Sequence, residues 1–275
     1  MSESKMSEPK MRLDLFLLSH GFCESREKAR ALIMAGQVFS GGVRLDKAGA
    51  PVSPEAEVEV RGNTCPYVSR GGLKLAKAIE VFGVDFNRRA VLDLGASTGG
   101  FTDCALQNGA RRVYAVDVGY GQLSWKLRQN EKVVVLEKTN ARYLSRDLIE
   151  EAVDIVTMDL AFISLSKIFP VLPPLMKPEG CGVALIKPQF EAGREKVGKK
   201  GVVRDPRIHE EVIDSVWRAA AGSRLCPRGL DFSPVRGPEG NIEYLLWFTL
   251  DQGDECPMDP LRVRQVVAEA GAVSG

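Results

Sequence analysis

Residues 91–101 read Val91-Leu92-Asp93-Leu94-Gly95-Ala96-Ser97-Thr98-Gly99-Gly100-Phe101: an apolar strand, a glycine-rich turn and the start of a helix. Glycine lets the backbone approach a bound molecule closely, and open α/β sheets bind ligands beyond the carboxyl ends of their strands, where this turn falls. Around it, short apolar runs at 90–94, 113–116, 133–136, 155–158 and 182–186 are separated for the most part by stretches of helical periodicity. That alternation predicts an α/β fold, a Rossmann-like doubly wound parallel sheet. Leu75, Ala78, Ile79 and Phe82 mark one helix face ahead of the first strand, and Asp205-Pro206 opens a helix with Val212, Ile213, Val216 and Trp217 inward. A hairpin follows, with its turn at 237–241 and its returning strand at 242–250, and Asp259-Pro260 starts a short helix within a tail at 252–275.

Ahead of this region the pattern is different. Residues 1–10 are polar and read as a mobile tail without the apolar core of a signal peptide. Residues 11–60 form a small α+β pattern. Leu13, Phe16 and Leu17 lie at helical spacing, Gly21-Phe22 breaks that helix, and Ser25 caps a second helix with Ala29, Leu32 and Ile33 on one face and Gly36 at its end. Strands at 38–39 and 43–45 flank a Gly41-Gly42 turn, and Val58 and Val60 alternate with glutamates. Residues 61–68, punctuated by Gly62, Asn63 and Pro66, read as a linker, so that residues 69–251 form the larger domain.

Composition excludes several classes. The 275 residues carry a net charge of +1, so no global basic field advertises nucleic acid and any such binding rests on local patches. No apolar run approaches the ~18 residues of a membrane span, which makes the cytoplasm the default location and a membrane partner unexpected. Six cysteines in no C-x-x-C pair, with only two histidines, argue against a metal site, and the apolar surroundings of several suit buried free thiols.

The ligand end of the sheet offers Asp93, Gly95, Ala96, Ser97, Thr98, Gly99, Gly100 and Phe101 as cofactor contacts. Asp117 ends the second strand, where a carboxylate accepts hydrogen bonds from ribose hydroxyls. The glycines are not spaced G-x-G-x-x-G and no P-loop lysine follows, which favours S-adenosylmethionine, a nucleoside without phosphate, over a dinucleotide or a purely structural turn. Asn140 suits either an adenine contact or a helix cap.

Residues 11 to about 250 resemble the TlyA family, known both as haemolysins and as ribosomal RNA 2′-O-methyltransferases. Arg12-Leu13-Asp14, Ser25-Arg26-Glu27-Lys28-Ala29 and the run 33–38 are similar to an S4 RNA-binding domain; the motifs at 69–75, 93–103 and 186–191 are similar to FtsJ-type methyltransferases. The linker lacks the tryptophan of some members. The resemblance implies methylation of a ribose 2′-hydroxyl, on cytidine, in ribosomal RNA or a ribosomal subunit, by a Lys–Asp–Lys–Glu tetrad: Lys74, Asp159, Lys187 and Glu243. A 2′-hydroxyl is a weak nucleophile, so its proton must be drawn off and its oxygen aimed. A neutral lysine amine can take that proton, and neighbouring positive charge and partial burial favour the neutral form. Lys187 is the candidate base, Asp159 its orienting partner and a cofactor neighbour, and Lys74 and Glu243 tune the pair. Asp159 and Lys187 each directly follow an apolar strand, whereas Glu243 read alone is an outward strand position, and only the resemblance promotes it.

For RNA, Arg12, Arg26 and Arg30 offer phosphate contacts from the small domain, although without the resemblance an ordinary solvated helix face is the favoured account. Arg70 belongs to the FtsJ-like motif at 69–75. Phe162 suits stacking on the target nucleoside or a place in the core. Arg194, Lys196, Lys199, Lys200, Arg204 and Arg207 form a basic glycine-containing stretch after Lys187, suited to gripping a nucleic-acid backbone. Two rivals remain: a small-molecule methyltransferase with an appended domain, and a non-catalytic RNA-binding or haemolysin-like protein.

Overall fold

The computed structural model describes residues 10–23, 25–34, 36–61, 65–253 and 255–273. The tail expected at 1–10, apart from Lys10, and linker positions 62–64 lie outside the described residues. The chain divides into two compact units, Met1–Thr64 and Cys65–Gly275.

The first unit runs β1 (Met11–Arg12), α1 (Leu13–Ser19), α2 (Arg26–Met34), β2 (Val38–Ser40), β3 (Val43–Arg44), β4 (Pro51–Val52) and β5 (Val58–Val60). The apolar positions of the two helices, Leu13, Phe16, Leu17, Ala29 and Ile33, close over Val38 in one core. Ser25 Oγ accepts the Lys28 amide at 3.2 Å, as a helix cap does. β2 pairs antiparallel with both β3 and β5. A β1–β4 pair is additional to the strands read from the sequence; two residues each give too short a run to show periodicity.

The second unit runs α3 (Gly71–Phe82), β6 (Ala90–Leu94), α4 (Gly100–Gln107), β7 (Arg112–Val116), α5 (Trp125–Arg128), β8 (Val133–Leu136), β9 (Val153–Met158), β10 (Met176–Ile186), α6 (Pro188–Glu191), α7 (Pro206–Ala221), β11 (Leu225–Phe232), β12 (Tyr244–Leu250) and α8 (Pro260–Ala272). Its seven-stranded sheet has the order β11-β12-β10-β9-β6-β7-β8. β10, β9, β6, β7 and β8 are parallel, and β12 lies antiparallel between β10 and β11. α3 and α4 cover one face with Leu75, Ala78, Phe101 and Cys104. α7 and α8 cover the other with Val212, Val216, Val263 and Val266. The chain leaves β6 in one direction toward β7 and returns on its other side as β9, so the crevice for a ligand opens where Leu94 and Met158 end side by side.

The structure departs from the sequence reading in detail. β10 begins at Met176 and shifts register before Cys181. The β9–β10 crossover is a series of short 3₁₀ turns, because Pro170, Pro173 and Pro174 lack the amide a longer helix needs. β12 starts at Tyr244, which leaves Glu243 in the turn rather than on the strand. The expectation of free thiols needs correction at two positions: Cys226 and Cys256 form a disulfide with Cα atoms 5.4 Å apart. The packing of α8 on α7 and β11 returns residue 256 to the sheet, a proximity that linear spacing does not show. Among the described residues Cys65, Cys104 and Cys181 lie outside any disulfide.

Candidate active site

Two cavities of about 500 and 510 Å³ open at the carboxyl ends of the parallel strands and share Gly95, Ser97, Asp159 and Ala161 in their walls. Gly95 directly follows β6 with φ +85°, and a Cβ there would come within 2.6 Å of the Asp159 carbonyl oxygen. Only glycine fits, so the turn after β6 presses directly on the residue after β9. The Asp159 amide in turn donates to the Leu94 carbonyl at 3.0 Å.

In the first cavity Asp117 organises the rim. One of its oxygens accepts the Ser97 amide at 2.8 Å and the other the Gly119 amide at 2.7 Å, and each keeps a lone pair for a ligand hydroxyl. Asn140 lines the same cavity and also accepts the Arg142 amide at 3.0 Å, so it caps the turn and faces the ligand space at once. Asp93 lines neither cavity. It is wholly buried beneath the turn, where the Thr102 and Thr157 hydroxyls donate to its two oxygens at 2.6 and 3.0 Å. Burial pushes its pKa up to about 6 against those hydrogen bonds. Its place is structural, joining α4 to β9. Ala96, Thr98, Gly100 and Phe101 line the second cavity, whereas Gly99 faces Leu123 and Leu127 instead.

The second cavity gathers Lys74 from α3, Asp159 after β9, Lys187 after β10 and Glu243 before β12. Lys187 Nζ lies 2.5 Å from Asp159 Oδ1. Lys74 Nζ lies 3.4 Å from Asp159 Oδ2 and 2.7 Å from Glu243 Oε2. Both lysines and Glu243 are buried, and the four formal charges cancel. Glu243 Oε1 is buried with no hydrogen-bond partner among the described residues, an acceptor that a hydroxyl would satisfy. Gly237 packs against that oxygen so closely that a Cβ would sit 2.2 Å away.

Phe162 is 91% exposed and holds φ +63°, so a place in the core is ruled out. Its ring leans on Phe190, centroids 5.0 Å apart. Glu191 braces the loop beyond it: its carboxylate accepts the Ser164 hydroxyl at 2.6 Å and the Leu165 amide at 2.8 Å. Burial raises the Glu191 carboxyl above its ordinary value despite these bonds. Ser69, Phe190 and Glu191 sit in motifs quoted from the sequence but were not singled out there; Arg236 and Gln122 also line the cavities, and no spacing in the sequence marks them.

Of the expected RNA contacts, Arg70 lines the second cavity. Arg194, Lys199, Lys200 and Arg204 are exposed, but Lys196 is paired with Glu211 at 2.5 Å and Arg207 with Asp205 at 2.8 Å. In the first unit Arg12, Arg26 and Arg30 converge on buried Asp14 at 3.0, 2.8 and 3.4 Å. The Arg12 hydrogen bond, with help from Arg26, holds that carboxyl well below the usual carboxylate range. Three guanidiniums about one carboxylate leave two positive charges on a small surface. Among the described residues no group of histidine, cysteine and carboxylate side chains is arranged to hold a metal, and no helix is long and apolar enough to cross a membrane.

Residues 67–250 match the model of the FtsJ-like methyltransferases and residues 11–58 that of the S4 domain. The chain is 49% identical to "Putative rRNA methyltransferase YqxC" of Bacillus subtilis, over 96% of this chain and 95% of that protein. It is 44% identical to the 16S/23S rRNA (cytidine-2′-O)-methyltransferase TlyA of Mycobacterium tuberculosis, over 86% and 88%. A solved structure, "Putative hemolysin from Streptococcus thermophilus", superposes with a TM-score of 0.77 at 44% identity, covering 96% of this chain and 97% of that one. An S4 domain and an FtsJ-like domain in one chain, with relatives of this similarity over nearly its whole length, mean that the protein belongs to the TlyA family.

Proposed function

We propose that the protein transfers a methyl group from S-adenosylmethionine to a ribose 2′-hydroxyl, on cytidine, in ribosomal RNA. The observation that carries this reading is the meeting of the two cavities at Asp159, with a charge-balanced pair of lysines and carboxylates on the second side only. The first cavity offers Asp117, the amides of Gln122 and Asn140, and one arginine, Arg142. That donor set suits a cationic nucleoside without phosphates. Asp117 would hold its ribose and Asn140 its base, and the bound cofactor supplies an electrophilic methyl carbon.

The protein's own part is positioning and proton transfer. Lys187 Nζ takes the proton of the 2′-hydroxyl, and Asp159 Oδ1 holds that amine in place and balances the ammonium it becomes. Glu243 Oε1 accepts from the ribose and fixes the line of approach. Lys74, held by Glu243 and Asp159, keeps both carboxylates aligned. Phe162 offers its exposed face to the target base, while Arg70 and the loop with Arg194, Lys199 and Lys200 hold phosphates. Arg12, Arg26 and Arg30 add a second grip from the S4 unit. On this reading the protein works in the cytoplasm, with ribosomal subunits as its partners. Mapping 2′-O-methyl groups in ribosomal RNA from cells with and without the gene tests the reading: a cytidine methylated only when the gene is present supports it, and identical maps overturn it.

A further inference from the structure

The basic loop after Lys187 is not loosely attached. Val202 and Val203 are buried, and the Val203 peptide is held from both sides. Its amide donates to Asn241 Oδ1 at 3.2 Å, and its carbonyl accepts His209 Nε2 at 2.9 Å. Asn241 Nδ2 donates to the Gly201 carbonyl at 2.9 Å, so both ends of one buried side-chain amide are spent on this loop. His209, also buried, meets the Tyr244 hydroxyl with Nδ1 at 2.7 Å. With Nε2 donating and Nδ1 accepting, every atom of this chain of bonds has a role.

The other ends of these bonds lie on the segment that carries Glu243. Asn241 precedes Glu243 by two residues, and Tyr244 follows it directly. The Asn241 carbonyl also closes the turn by accepting the Gly237 amide at 2.9 Å, and Gly237 is the residue packed on Glu243 Oε1. Meanwhile the Gly201 amide donates to the Gly198 carbonyl at 2.8 Å and the Gly198 amide to the Val202 carbonyl at 3.1 Å, a closed ring that leaves Lys199 and Lys200 in solvent. Val203 is thus linked by hydrogen bonds to Asn241 and, through His209, to Tyr244, one on either side of Glu243.

We propose that Asn241 and His209 are positioning residues that fasten the RNA-gripping loop to the Glu243 turn, so that the hold of Lys199 and Lys200 on RNA phosphates and the seating of Glu243 against Lys74 are coupled. This inference rests on the reading of loop and tetrad given under Proposed function. It differs from a merely stabilising role in one respect: loop and tetrad must act on the same kinetic step.

A double-mutant cycle tests it with the full-length protein, S-adenosylmethionine and purified ribosomal subunits. The four forms are wild type, Asn241→Ala, Lys199→Ala with Lys200→Ala, and the triple variant. Asn241→Ala is expected to lower kcat by at least about tenfold, with cofactor affinity by calorimetry within twofold of wild type. Neutralising the loop is expected to raise KM and lower kcat in the wild-type background, and to change kcat by less than twofold once Asn241 is gone. Effects on kcat that multiply independently, or a loop neutralisation that alters KM alone, overturn the proposal while leaving the proposed function intact. Absence of methyl transfer by the wild-type protein overturns both. Should Asn241→Ala not fold, Tyr244→Phe removes only the hydroxyl at the far end of the His209 link. It is expected to show the same loss of coupling at smaller amplitude, and additive behaviour there also overturns the proposal.

Discussion

Asp159 Oδ1 and Lys187 Nζ stand 2.5 Å apart at the boundary of two cavities, so the residue that holds the candidate base also lines the cofactor space. Lys187→Ala should abolish methyl transfer while leaving S-adenosylmethionine affinity within about threefold of wild type. Lys187→Arg is the sharper variant. It offers a cation to the same partner but has no neutral form near neutral pH with which to accept a proton, and it should lose about 10²-fold or more in kcat. Tritium transfer and calorimetric titration decide; turnover within tenfold of wild type in either variant removes Lys187 as the base.

Gly237 should prove as sensitive as a tetrad residue without bearing a functional group. Gly237→Ala introduces a methyl where Glu243 Oε1 now lies, and Glu243, buried, has nowhere equivalent to go. The expected outcome is a fall in kcat of tenfold or more with an unchanged cofactor dissociation constant. Unimpaired turnover would show that the orientation of Glu243 is immaterial.

Asp117→Ala should weaken cofactor binding by ~1 to 3 kcal/mol, the order expected when a hydrogen-bonded polar group is lost in a closed site. Part of that loss comes from releasing the Ser97 and Gly119 amides. Asp117→Asn, which keeps acceptor capacity on one side only, should fall between. A dissociation constant unchanged by either substitution would mark Asp117 as a purely structural residue.

His209 predicts a pH dependence of defined sign. Burial lowers its pKa below the ordinary 6.5, against the hydrogen bond to Val203 that favours its charged form. The unfolded chain therefore binds more protons than the folded one just below pH 6.5. Its contribution to stability is complete above that value and drains away as pH falls toward the folded pKa. Asp93, raised to about 6, works in the opposite sense over an overlapping range, so the informative quantity is a difference. The gap in melting temperature between wild type and His209→Gln should narrow as the pH is lowered from 7 to 5; a constant gap would mean that His209 titrates alike in both states.

The arginines about Asp14 should supply salt-sensitive RNA affinity. Substituting Arg26 and Arg30 by Gln leaves Arg12 to neutralise Asp14, which keeps the buried carboxylate paired. The slope of log K against log salt should fall by up to about two, with cofactor affinity unchanged. An unaltered slope would confine these arginines to holding the S4 unit together.

How far the structure could be read from the chain varied with how local each feature is. The doubly wound sheet was legible because Val91–Leu94 and its counterparts are continuous apolar runs, and the helix caps at Ser25, Asp205 and Asp259 because a cap is written within three residues. Lys74, Asp159, Lys187 and Glu243 do meet in one cavity, yet spacing alone pointed only to Asp159 and Lys187, which end strands. Glu243 needed the resemblance, since its burial depends on Gly237 and on a turn that displaces it from the strand. The Cys226–Cys256 bond, the meeting of Arg26 and Arg30 with Asp14, and the tie of Asn241 to Val203 are tertiary, joining positions that no local pattern relates.

The tetrad is assembled across long intervals of the chain: Lys74 meets Asp159 at a separation of 85 residues and Glu243 at 169. Contacts so remote in sequence carry a loop-closure entropy cost that local elements do not. A nascent chain that has emerged only as far as Lys187 lacks β11, β12 and Glu243, and its Lys74 has no buried glutamate to meet. On the proposed chemistry the enzyme is thus silent while it is being translated. The ribosome that makes it carries the very class of RNA it modifies, and that ribosome has released the last hairpin before its product becomes competent.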